Sequence, residues 1–403
     1  MSLEIARLMN SPDSPYLLWL GAIFDEASLL TQPAISPAAN RWQSGLIFGL
    51  RHHGLPVHSI GHLPEAMWPK GRLRISSSTA RIAPDIEGEL IGYPNLPRIR
   101  IKFLEQRYKR RLDAVIQHLG APLAVLSYNA YPYNVAAAEL AQKKYGLPWI
   151  CVVADVPGSE SEWPKHDRDL ERAAGRIYLS WSRMQSSGLS PNLHLDGTAD
   201  GIKLDRILSA GSSHAESGNG IKTVLFTGAM NKWAGVDYLV SAFSTLDRAD
   251  IRLQLCGPGK PTTETLKMID ADSRIEFLGL VSESRLRELS TSTNVFVNPR
   301  PSKIPGNESN FPSKILEYLT YGKPIISTIT PGISPDYHDI LIPVKQETDE
   351  GLAAAISHTV DLSMAERKAI YERTVTLIDG SKTRESQANR LIDWMRSDLN
   401  LAI

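Results

Sequence analysis

The chain has 403 residues, of which 42% are hydrophobic and 22% are charged. This length exceeds what one compact core organises, so the composition predicts a soluble, folded protein of two globular domains. Lysine and arginine together number 44, as do aspartate and glutamate, so the chain has no net charge that would favour nucleic acid. A charged partner would have to bind a local charged patch.

The sequence contains no signal for export or membrane insertion. Its first residues, "MSLEIARLMNSPDSP", lack a basic stretch followed by a long apolar run, and nowhere do ~18 apolar residues follow one another. We therefore expect a cytoplasmic protein, with peripheral attachment to the inner face of a membrane left open. Cys151 and Cys256 lie in separate apolar runs, which predicts reduced, buried thiols.

Short apolar runs alternate with helix-length amphipathic stretches, which predicts an α/β fold built on buried parallel strands. The predicted strands are, in chain order, "YLLWLGAIF", "LAVLSYNAY", "WICVVADV", "TVLFTGAM", "RLQLCG", "NVFVNP" and "PIIST". Residues 208–220, "LSAGSSHAESGNG", have no apolar periodicity and are predicted to be a linker or flexible loop. The predicted domains are therefore 1–207 and 221–380, followed by an amphipathic helix over 381–403.

Polar side chains follow two predicted strands of the first domain. Asn129, Tyr131 and Tyr133 come after "LAVLSY", and Asp155 comes after "WICVVA". Because ligands bind at the carboxyl ends of parallel strands, these residues are predicted to line one cleft. Asp155 is the candidate ligand or base for an acceptor hydroxyl, assisted by Asn129, with Tyr131 as an acceptor contact; alternatively, Asp155 caps the turn before Pro157.

Two further segments of the first domain are candidate contacts. Asn40 and Arg41 open the helix in "SPAANRWQSGLI" and are candidate acceptor-binding residues, although a solvated helix start fits equally well. Residues 97–112, "PRIRIKFLEQRYKRRL", carry seven Lys or Arg and one Glu among apolar side chains. Such a segment suits an anionic membrane surface or a lipid diphosphate, or else is a solvated helix.

The most concentrated motif is "NESNFPSKILEYLTYGKPIIST", residues 307–328. Its pattern predicts a helix from about Pro312 to Tyr321, ended by Gly322 before a new strand. A helix that starts at the carboxyl edge of a sheet presents free N–H groups to an anion. Lys314 and Glu317 share one helix face, so a phosphate and two vicinal hydroxyls are candidate partners, the alternative being an exposed ion pair.

This motif resembles the donor site of the retaining glycosyltransferases with the GT-B fold, the group 1 or glycogen-synthase-like family. Other segments that resemble the family are "SPAANRWQSGLIFGLRHHGLPVHSI", "YNAYPYNVAAAELAQKKYGLPWICVVADVPG", "VLFTGAMNKWAGVDYLVSAF" and "RIEFLGLVSESRLRELSTSTNVFVNPR". The resemblance covers most of the chain and is thin across 62–120 and 340–403. It implies two facing Rossmann-like domains, with the C-terminal helix packing back on the N-terminal domain.

The resemblance also assigns donor contacts residue by residue. Glu317 aligns with the second glutamate of the family's E-x7-E motif, which contacts the nucleotide ribose, whereas Ser309 stands in place of the first. Glu308, or Asn310 with the backbone of Phe311, could then hold the sugar hydroxyls. The implied donor-binding set is Gly228, Lys232, Gly257, Arg300, Glu308, Ser309, Asn310, Phe311, Lys314 and Glu317.

Two departures from the family concern positive charge and a histidine. Ala229 and Ala234 stand where the family offers an Arg and a Lys to the diphosphate, so Lys232, Arg300 and Lys314 are the candidate replacements. No histidine follows "VLSYNAY", where many members have one, which leaves His52, His53 and His166. The triplets Asp167–Asp169 and Asp270–Asp272 are read as chance matches to a metal-binding D-x-D.

The function implied is a retaining, metal-independent transfer of a hexose from a nucleoside diphosphate sugar to a hydroxyl of a glycan or lipid-linked glycan, in cell-surface polysaccharide biosynthesis. No cofactor, metal or nucleic acid is expected, and Lys314 is expected to assist catalysis. The alternative from another class is a catalytically silent relative that binds a nucleotide sugar or glycan as a partner subunit. A sugar-nucleotide epimerase of the same fold also stays open, whereas a nicotinamide-dependent oxidoreductase lacks its G-x-G-x-x-G turn.

Overall fold

The structure is a computed structural model that describes residues 15–32, 34–83, 86–155, 163–199 and 220–403. It divides into two compact units, each with its own parallel sheet. The first comprises Met1–Leu179, Met184–Thr198 and Arg384–Ile403, and the second comprises Ser180–Arg183 and Ala199–Thr383. The predicted boundary at 207 and all of the predicted linker except Gly220 lie outside the described residues.

The first unit contains an eight-stranded sheet and a small two-stranded ribbon. Its strands are β1 (Leu17–Leu20), β2 (Val57–Gly61), β3 (Arg74–Ile75), β4 (Ser78–Ala83), β5 (Ile86–Leu90), β6 (Tyr93–Pro94), β7 (Ala124–Tyr128), β8 (Trp149–Val153), β9 (Gly175–Tyr178) and β10 (Asn192–His194). The large sheet has the order β10-β9-β8-β7-β1-β2-β5-β4, and β3 pairs with β6. Only β4 runs antiparallel to its neighbour in the large sheet.

Helices cover both faces of this sheet because its strands are apolar on both sides. The helices are α1 (Glu26–Thr31), α2 (Pro37–His52), α3 (Arg100–Leu119), α4 (Pro132–Tyr145) and α5 (Trp163–Glu171). Leu17 and Trp19 belong to the core under α2, whereas Leu18 and Leu20 belong to the core under α3 and α4. Successive residues of β1 thus pack against helices on opposite faces of the sheet.

The second unit has a six-stranded parallel sheet with the order β13-β12-β11-β14-β15-β16. Its strands are β11 (Lys222–Thr227), β12 (Ile251–Cys256), β13 (Ile275–Gly279), β14 (Val295–Asn298), β15 (Ile325–Ser327) and β16 (Leu341–Pro343). The helices are α6 (Trp181–Ser186), which spans the boundary of the units, then α7 (Val236–Ser244), α8 (Thr263–Ala271), α9 (Glu283–Ser292), α10 (Lys314–Leu319), α11 (Asp349–Val360) and α12 (Met364–Leu377). Cores on both faces of the sheet make this unit Rossmann-like.

The C-terminal helix α13 (Arg384–Ser397) belongs to the first unit, so the predicted return of this helix is confirmed. It packs against α2 at Gly49, where a Cβ atom would lie 2.1 Å from the carbonyl oxygen of Arg384. Leu391 and Met395 are fully buried in the core that α2 also covers. The close approach at Gly49 lets the last helix complete the N-terminal layer.

Candidate functional site

Two glycines end neighbouring strands of the second unit and bring their backbones close together. Gly228 follows β11 with a φ of +145°, and Gly257 follows β12 with a φ of +146°. The N–H of Gly228 donates to the carbonyl of Cys256 at 2.9 Å. A Cβ atom on Gly257 would lie 2.0 Å from the carbonyl oxygen of Gly228, so only glycine fits there. These two predicted donor residues therefore shape the carboxyl edge of the sheet.

A short turn after Gly228 places one predicted cation on the surface. Asn231 caps the 3₁₀ turn Lys232–Ala234, and its Oδ1 accepts from the N–H of Ala234 at 3.0 Å. Lys232 is exposed, and its Nζ lies 4.9 Å from the ring centre of Trp233. Ala234 is buried. The turn thus offers Lys232, and not position 234, to solvent.

Lys314 is the first residue of α10, and its ammonium group lies in an unusual environment. Part of the side chain reaches the surface, but Nζ is buried and has no hydrogen-bond partner among the described residues. It lies 4.1 Å from the ring centre of Phe226, at the end of β11. Burial, and secondarily the charge of Arg300, lowers the pKa of Lys314 to about 7, although Glu317 acts in the opposite direction.

Arg300 follows β14 and is the second cation near this edge. Its Nη1 donates to Oδ1 of Asn307 at 3.3 Å, whereas its Nε is buried and has no partner in the described part of the chain. Burial lowers the pKa of Arg300. Asn307 in turn donates to the carbonyls of Trp233 and Pro301, both at 2.9 Å. The Nε of Arg300 and the Nζ of Lys314 are therefore buried donors that find no acceptor in the described part of the chain, which is the arrangement that an anion would satisfy.

Glu317 lies one turn after Lys314 on α10, and the helix is tied to the end of β11. The hydroxyl of Tyr318 accepts from the N–H of Thr227 at 2.9 Å. Burial, and secondarily the carboxylate of Glu317, raises the pKa of the Cys256 thiol to about 11. Glu317 is thus close enough to the ends of β11 and β12 to affect groups on both α10 and the sheet.

The loop before α10 presents the residues that stand in place of the family's first glutamate. Glu308 is exposed, and Ser309, Asn310 and Phe311 are partly exposed. The Phe311 ring lies 5.4 Å from the ring of Tyr337. The predicted helix is shorter than expected, since it spans Lys314–Leu319 rather than 312–321. Contact of this loop with a sugar stays a prediction.

In the first unit, Asn129 contacts Tyr131 and Asp155, three of the four residues predicted to line one cleft. Asn129 is buried in the left-handed region, with a φ of +63°. Its Oδ1 accepts from the N–H groups of Ala154 and Asp155 at 2.8 and 3.0 Å. Its Nδ2 donates to Oδ2 of Asp155 at 2.9 Å and to the hydroxyl of Tyr131 at 3.1 Å. Asn129 therefore holds the exposed Asp155 carboxylate and the Tyr131 phenol in place.

Asn40, a predicted acceptor contact, uses its side chain within the first unit. Asn40 is buried, its Oδ1 accepts from the N–H of Phe24 at 2.8 Å, and its Nδ2 donates to the Phe24 carbonyl at 2.9 Å. The amide is used to fix the loop after β1. Arg41, the neighbouring candidate, is exposed on α2 and stays a prediction.

The sequence analysis missed one histidine. His62 follows β2 directly, and its Nδ1 lies 2.8 Å from the hydroxyl of Tyr108. Its ring packs against Tyr133 at 4.9 Å, and Tyr133 packs against Tyr131 at 5.6 Å. Burial, and secondarily Arg100, lowers the pKa of His62 to about 4, so the imidazole is neutral at physiological pH. The position of His62 directly after a strand could have indicated it, but the sequence "VHSIG" does not show the pattern of a buried strand.

The other histidine and aspartate candidates have local partners. His53, next to His52 at the end of α2, has its Nε2 3.0 Å from the carbonyl oxygen of Glu385, and His166 packs on Trp163 in α5. In the two D-x-D triplets, Asp169 pairs with Lys165 at 2.5 Å and Asp272 pairs with Arg274 at 2.7 Å. Within the described ranges, no group of three or more His, Cys, Asp or Glu side chains is arranged to hold a metal ion.

Comparison with known protein families gives a match in the second unit. Residues 221–361 match the family described as "Glycosyl transferases group 1". This range contains Gly228, Gly257, Arg300, Lys314 and Glu317. No curated protein matches the sequence at the significance required.

Solved structures resemble the chain over nearly its whole length. A glycosyltransferase from Rickettsia africae ESF-5 has a TM-score of 0.67 at 13% identity, covering 96% of this chain and 99% of that one. A sucrose-phosphate synthase from Thermosynechococcus elongatus has a TM-score of 0.66 at 15% identity, with 96% and 99% covered. A "Trehalose-6-phosphate" structure from E. coli, bound with UDP-2-fluoro glucose, has a TM-score of 0.68 at 9% identity, with 94% and 99% covered. The fold of the chain is thus the GT-B fold of glycosyltransferases.

Proposed function

We propose that the protein is a retaining, metal-independent glycosyltransferase that moves a hexose from a nucleoside diphosphate sugar to a hydroxyl of a glycan or lipid-linked glycan. The observation that carries this proposal is the buried Nζ of Lys314, which lies beside Gly228 and has no hydrogen-bond partner among the described residues, inside the range that matches glycosyltransferases of group 1. A diphosphate would supply the missing acceptors for this group.

The donor is held by the second unit in this proposal. Lys314 and the Nε of Arg300 bind the diphosphate, and their interaction strengthens as negative charge develops on the departing diphosphate. Glu317 accepts hydrogen bonds from the ribose hydroxyls, and the loop 308–311 faces the sugar. Gly228 leaves space for the Nζ of Lys314, and Gly257 lets the backbone of Gly228 approach, because neither glycine carries a side chain. Two cations from different elements thus replace the Arg and Lys that positions 229 and 234 lack.

The acceptor is oriented by the first unit. Asp155 is the ligand or base for the acceptor hydroxyl, and its exposure leaves the carboxylate accessible. Asn129 is a positioning residue, because both ends of its amide are bonded to Asp155, Ala154 or Tyr131. Tyr131 offers an exposed ring to a sugar face.

A binding experiment tests the donor site first. Thermal unfolding is measured with UDP, GDP, ADP and their hexose conjugates, for the wild type and Glu317→Gln, with and without EDTA. We expect a rise in melting temperature with one base only, unaffected by EDTA and lost in Glu317→Gln. The absence of a shift with every nucleotide would refute the donor site.

A transfer experiment separates the proposal from its alternative, a catalytically silent nucleotide-sugar or glycan-binding subunit. Ser309, Ala229 and Ala234 are the residues that favour this alternative. The protein is incubated with the selected donor and with glycan or lipid extracts, and transferred sugar is followed together with released nucleoside diphosphate. Transfer with an unchanged anomeric configuration supports the proposal, whereas binding without transfer supports the silent subunit.

A further inference from the structure

Exposed apolar side chains are concentrated in one region of the first unit. Among the described residues, ten large hydrophobic side chains are exposed, and six of them lie between residues 67 and 103. These are Met67 at 44%, Trp68 at 45%, Leu73 at 52%, Ile99 at 42%, Ile101 at 38% and Phe103 at 41% exposure. Clustered exposure of this kind marks a surface that a partner covers.

The loop that presents the first three of these residues is firmly held. Asn95 is fully buried, and its Nδ2 donates to the carbonyls of Ala66 and Arg72 at 2.7 and 2.8 Å. Its backbone N–H donates to the carbonyl of Leu73 at 2.8 Å, and its carbonyl accepts from the N–H of Trp68 at 3.2 Å. The apolar side chains therefore project from a hydrogen-bonded loop.

The same network joins this loop to the start of α3. Nη1 of Arg100 donates to the carbonyl of Glu65 at 3.1 Å and to Oδ1 of Asn95 at 3.2 Å. Residues 66–74 and 97–112 thus lie side by side and form one surface, which we call the basic-apolar surface. The sequence pattern had indicated only its second half.

The orientation of α3 places apolar and basic groups outward together. Leu104, Tyr108 and Leu112 are buried and bind the helix to the sheet. Phe103 and Arg110 are exposed, and their spacing of seven residues puts them on one helix face, away from that buried stripe. One face of α3 therefore packs against the sheet, and the opposite face is exposed to solvent.

The charge of this surface is strongly unbalanced. Residues 66–74 and 97–112 contain ten Lys or Arg and a single acidic residue, Glu105, whereas the whole chain is neutral. Two of the ten are paired with carboxylates, Arg72 with Glu65 at 2.6 Å and Arg111 with Glu89. The remaining cations lie among the exposed apolar side chains, so the surface complements a partner that is both anionic and apolar.

We propose that the basic-apolar surface docks on an anionic phospholipid bilayer. A bilayer takes apolar side chains below its headgroups and cations at them, and Trp is favoured at that boundary. Each Lys or Arg near an anionic leaflet adds to the attraction between the surface and the membrane. An acidic protein or a nucleic acid would use the cations but leave Met67, Leu73, Ile99 and Phe103 exposed. This inference goes beyond the proposed sugar transfer and does not depend on it.

Vesicle co-sedimentation of the full chain tests the proposal. Vesicles of phosphatidylcholine are compared with the same vesicles containing phosphatidylglycerol. We expect binding to the anionic vesicles, weakened at least ~10-fold by Lys70→Glu with Lys102→Glu and by Trp68→Ser with Phe103→Ser. The matched controls are Lys267→Glu with Lys345→Glu, and Leu280→Ser with Met364→Ser, which alter exposed groups of the second unit. Thermal unfolding verifies that each variant is folded.

The outcomes separate the possible partners. Loss of vesicle binding in both surface variants, but in neither control, supports membrane docking. Equal binding by the surface and control variants, or no binding to either vesicle, overturns it. Tight binding of a single-stranded oligonucleotide without lipid, unchanged by Trp68→Ser with Phe103→Ser, overturns it in favour of a polyanion site. None of the described helices is both long and apolar enough to cross a bilayer, so a positive result would mean surface attachment.

Discussion

The ammonium group of Lys314 lies 4.1 Å from the ring centre of Phe226 and would touch a Cβ atom at Gly228, 2.8 Å away. A cation in this position is held by an aromatic face and by no hydrogen bond within the described residues. The free protein therefore keeps a buried charge whose solvation is incomplete. Such a charge costs stability and gains affinity for an anion, and both effects can be measured.

Replacement of Lys314 by methionine should stabilise the free protein in a pH-dependent way. The pKa of Lys314 is about 7 in the folded protein, against about 10.4 for an unperturbed lysine. Between these values the unfolded chain binds more protons than the folded one, so the contribution of Lys314 to the free energy of unfolding rises with pH, by up to ~1.4 kcal/mol per unit. Lys314→Met should thus unfold at a higher temperature than the wild type at pH 6, with a difference that vanishes by about pH 10.

The control for this prediction is Lys232→Met, which removes an exposed lysine near the same turn. Its melting temperature should follow that of the wild type at every pH. A pH-independent difference between Lys314→Met and the wild type would show that Lys314 is charged normally in the folded protein.

Binding of a nucleoside diphosphate should be accompanied by uptake of a proton. The diphosphate supplies the acceptors that Lys314 lacks, which raises the pKa of Lys314 toward its usual value. At pH 8 the free lysine is mostly neutral, so binding protonates it. Calorimetry in two buffers of different ionisation enthalpy measures this proton, and Lys314→Met should take up none and bind about 10- to 100-fold more weakly. Proton uptake that persists in Lys314→Met would assign the proton to another group.

The α/β fold and the proximity of Asn129, Tyr131 and Asp155 could be predicted because their signals are local. Apolar runs on both faces of a strand, such as "WICVV", and the Gly322 stop after α10 are read directly from neighbouring residues. Asn129, Tyr131 and Asp155 were placed together because all three follow strands of one parallel sheet. The rule that polar residues cluster at carboxyl ends needs only the strand positions.

The contacts that the sequence does not predict join residues that are distant in sequence. The side chain of Asn40 bonds to the backbone of Phe24 in a loop that no local pattern reveals. The sequence does not show that the loop 66–74 belongs to the basic-apolar surface. The loop is joined to the start of α3 through Asn95, which lies 29 residues after Ala66 and 23 residues after Arg72. The sequence predicts a phosphate contact for Lys314, or else an exposed ion pair with Glu317, whereas its ammonium group is buried against Phe226 of β11.

The two glycine turns should respond differently to alanine. In Gly257→Ala the new Cβ would lie 2.0 Å from the backbone oxygen of Gly228. Because this oxygen cannot move without opening the sheet edge, the free energy of unfolding should fall by roughly 2 to 4 kcal/mol. In Gly228→Ala the nearest atom is the flexible end of Lys314, so the main effect should be weaker diphosphate binding. Gly259→Ala, whose Cβ would have no neighbour within 3.7 Å, controls for backbone strain alone. Equal destabilisation in all three variants, measured by denaturant unfolding, would contradict this reasoning.

Substitutions at Asn129 and Asp155 should distinguish a positioning residue from a catalytic residue. Asn129→Ala leaves the N–H groups of Ala154 and Asp155 without their acceptor. It also places alanine in the left-handed backbone conformation of residue 129. The free energy of unfolding should therefore fall by about 2 to 4 kcal/mol. Asp155→Asn keeps the shape of an exposed side chain and should change stability by less than about 0.5 kcal/mol. Sugar transfer should be lost in Asp155→Asn and reduced in Asn129→Ala, while the melting-temperature shift with the nucleotide is preserved in both, because the donor residues belong to the second unit. Transfer at the wild-type rate in Asp155→Asn would remove Asp155 from the reaction and leave it as a turn residue.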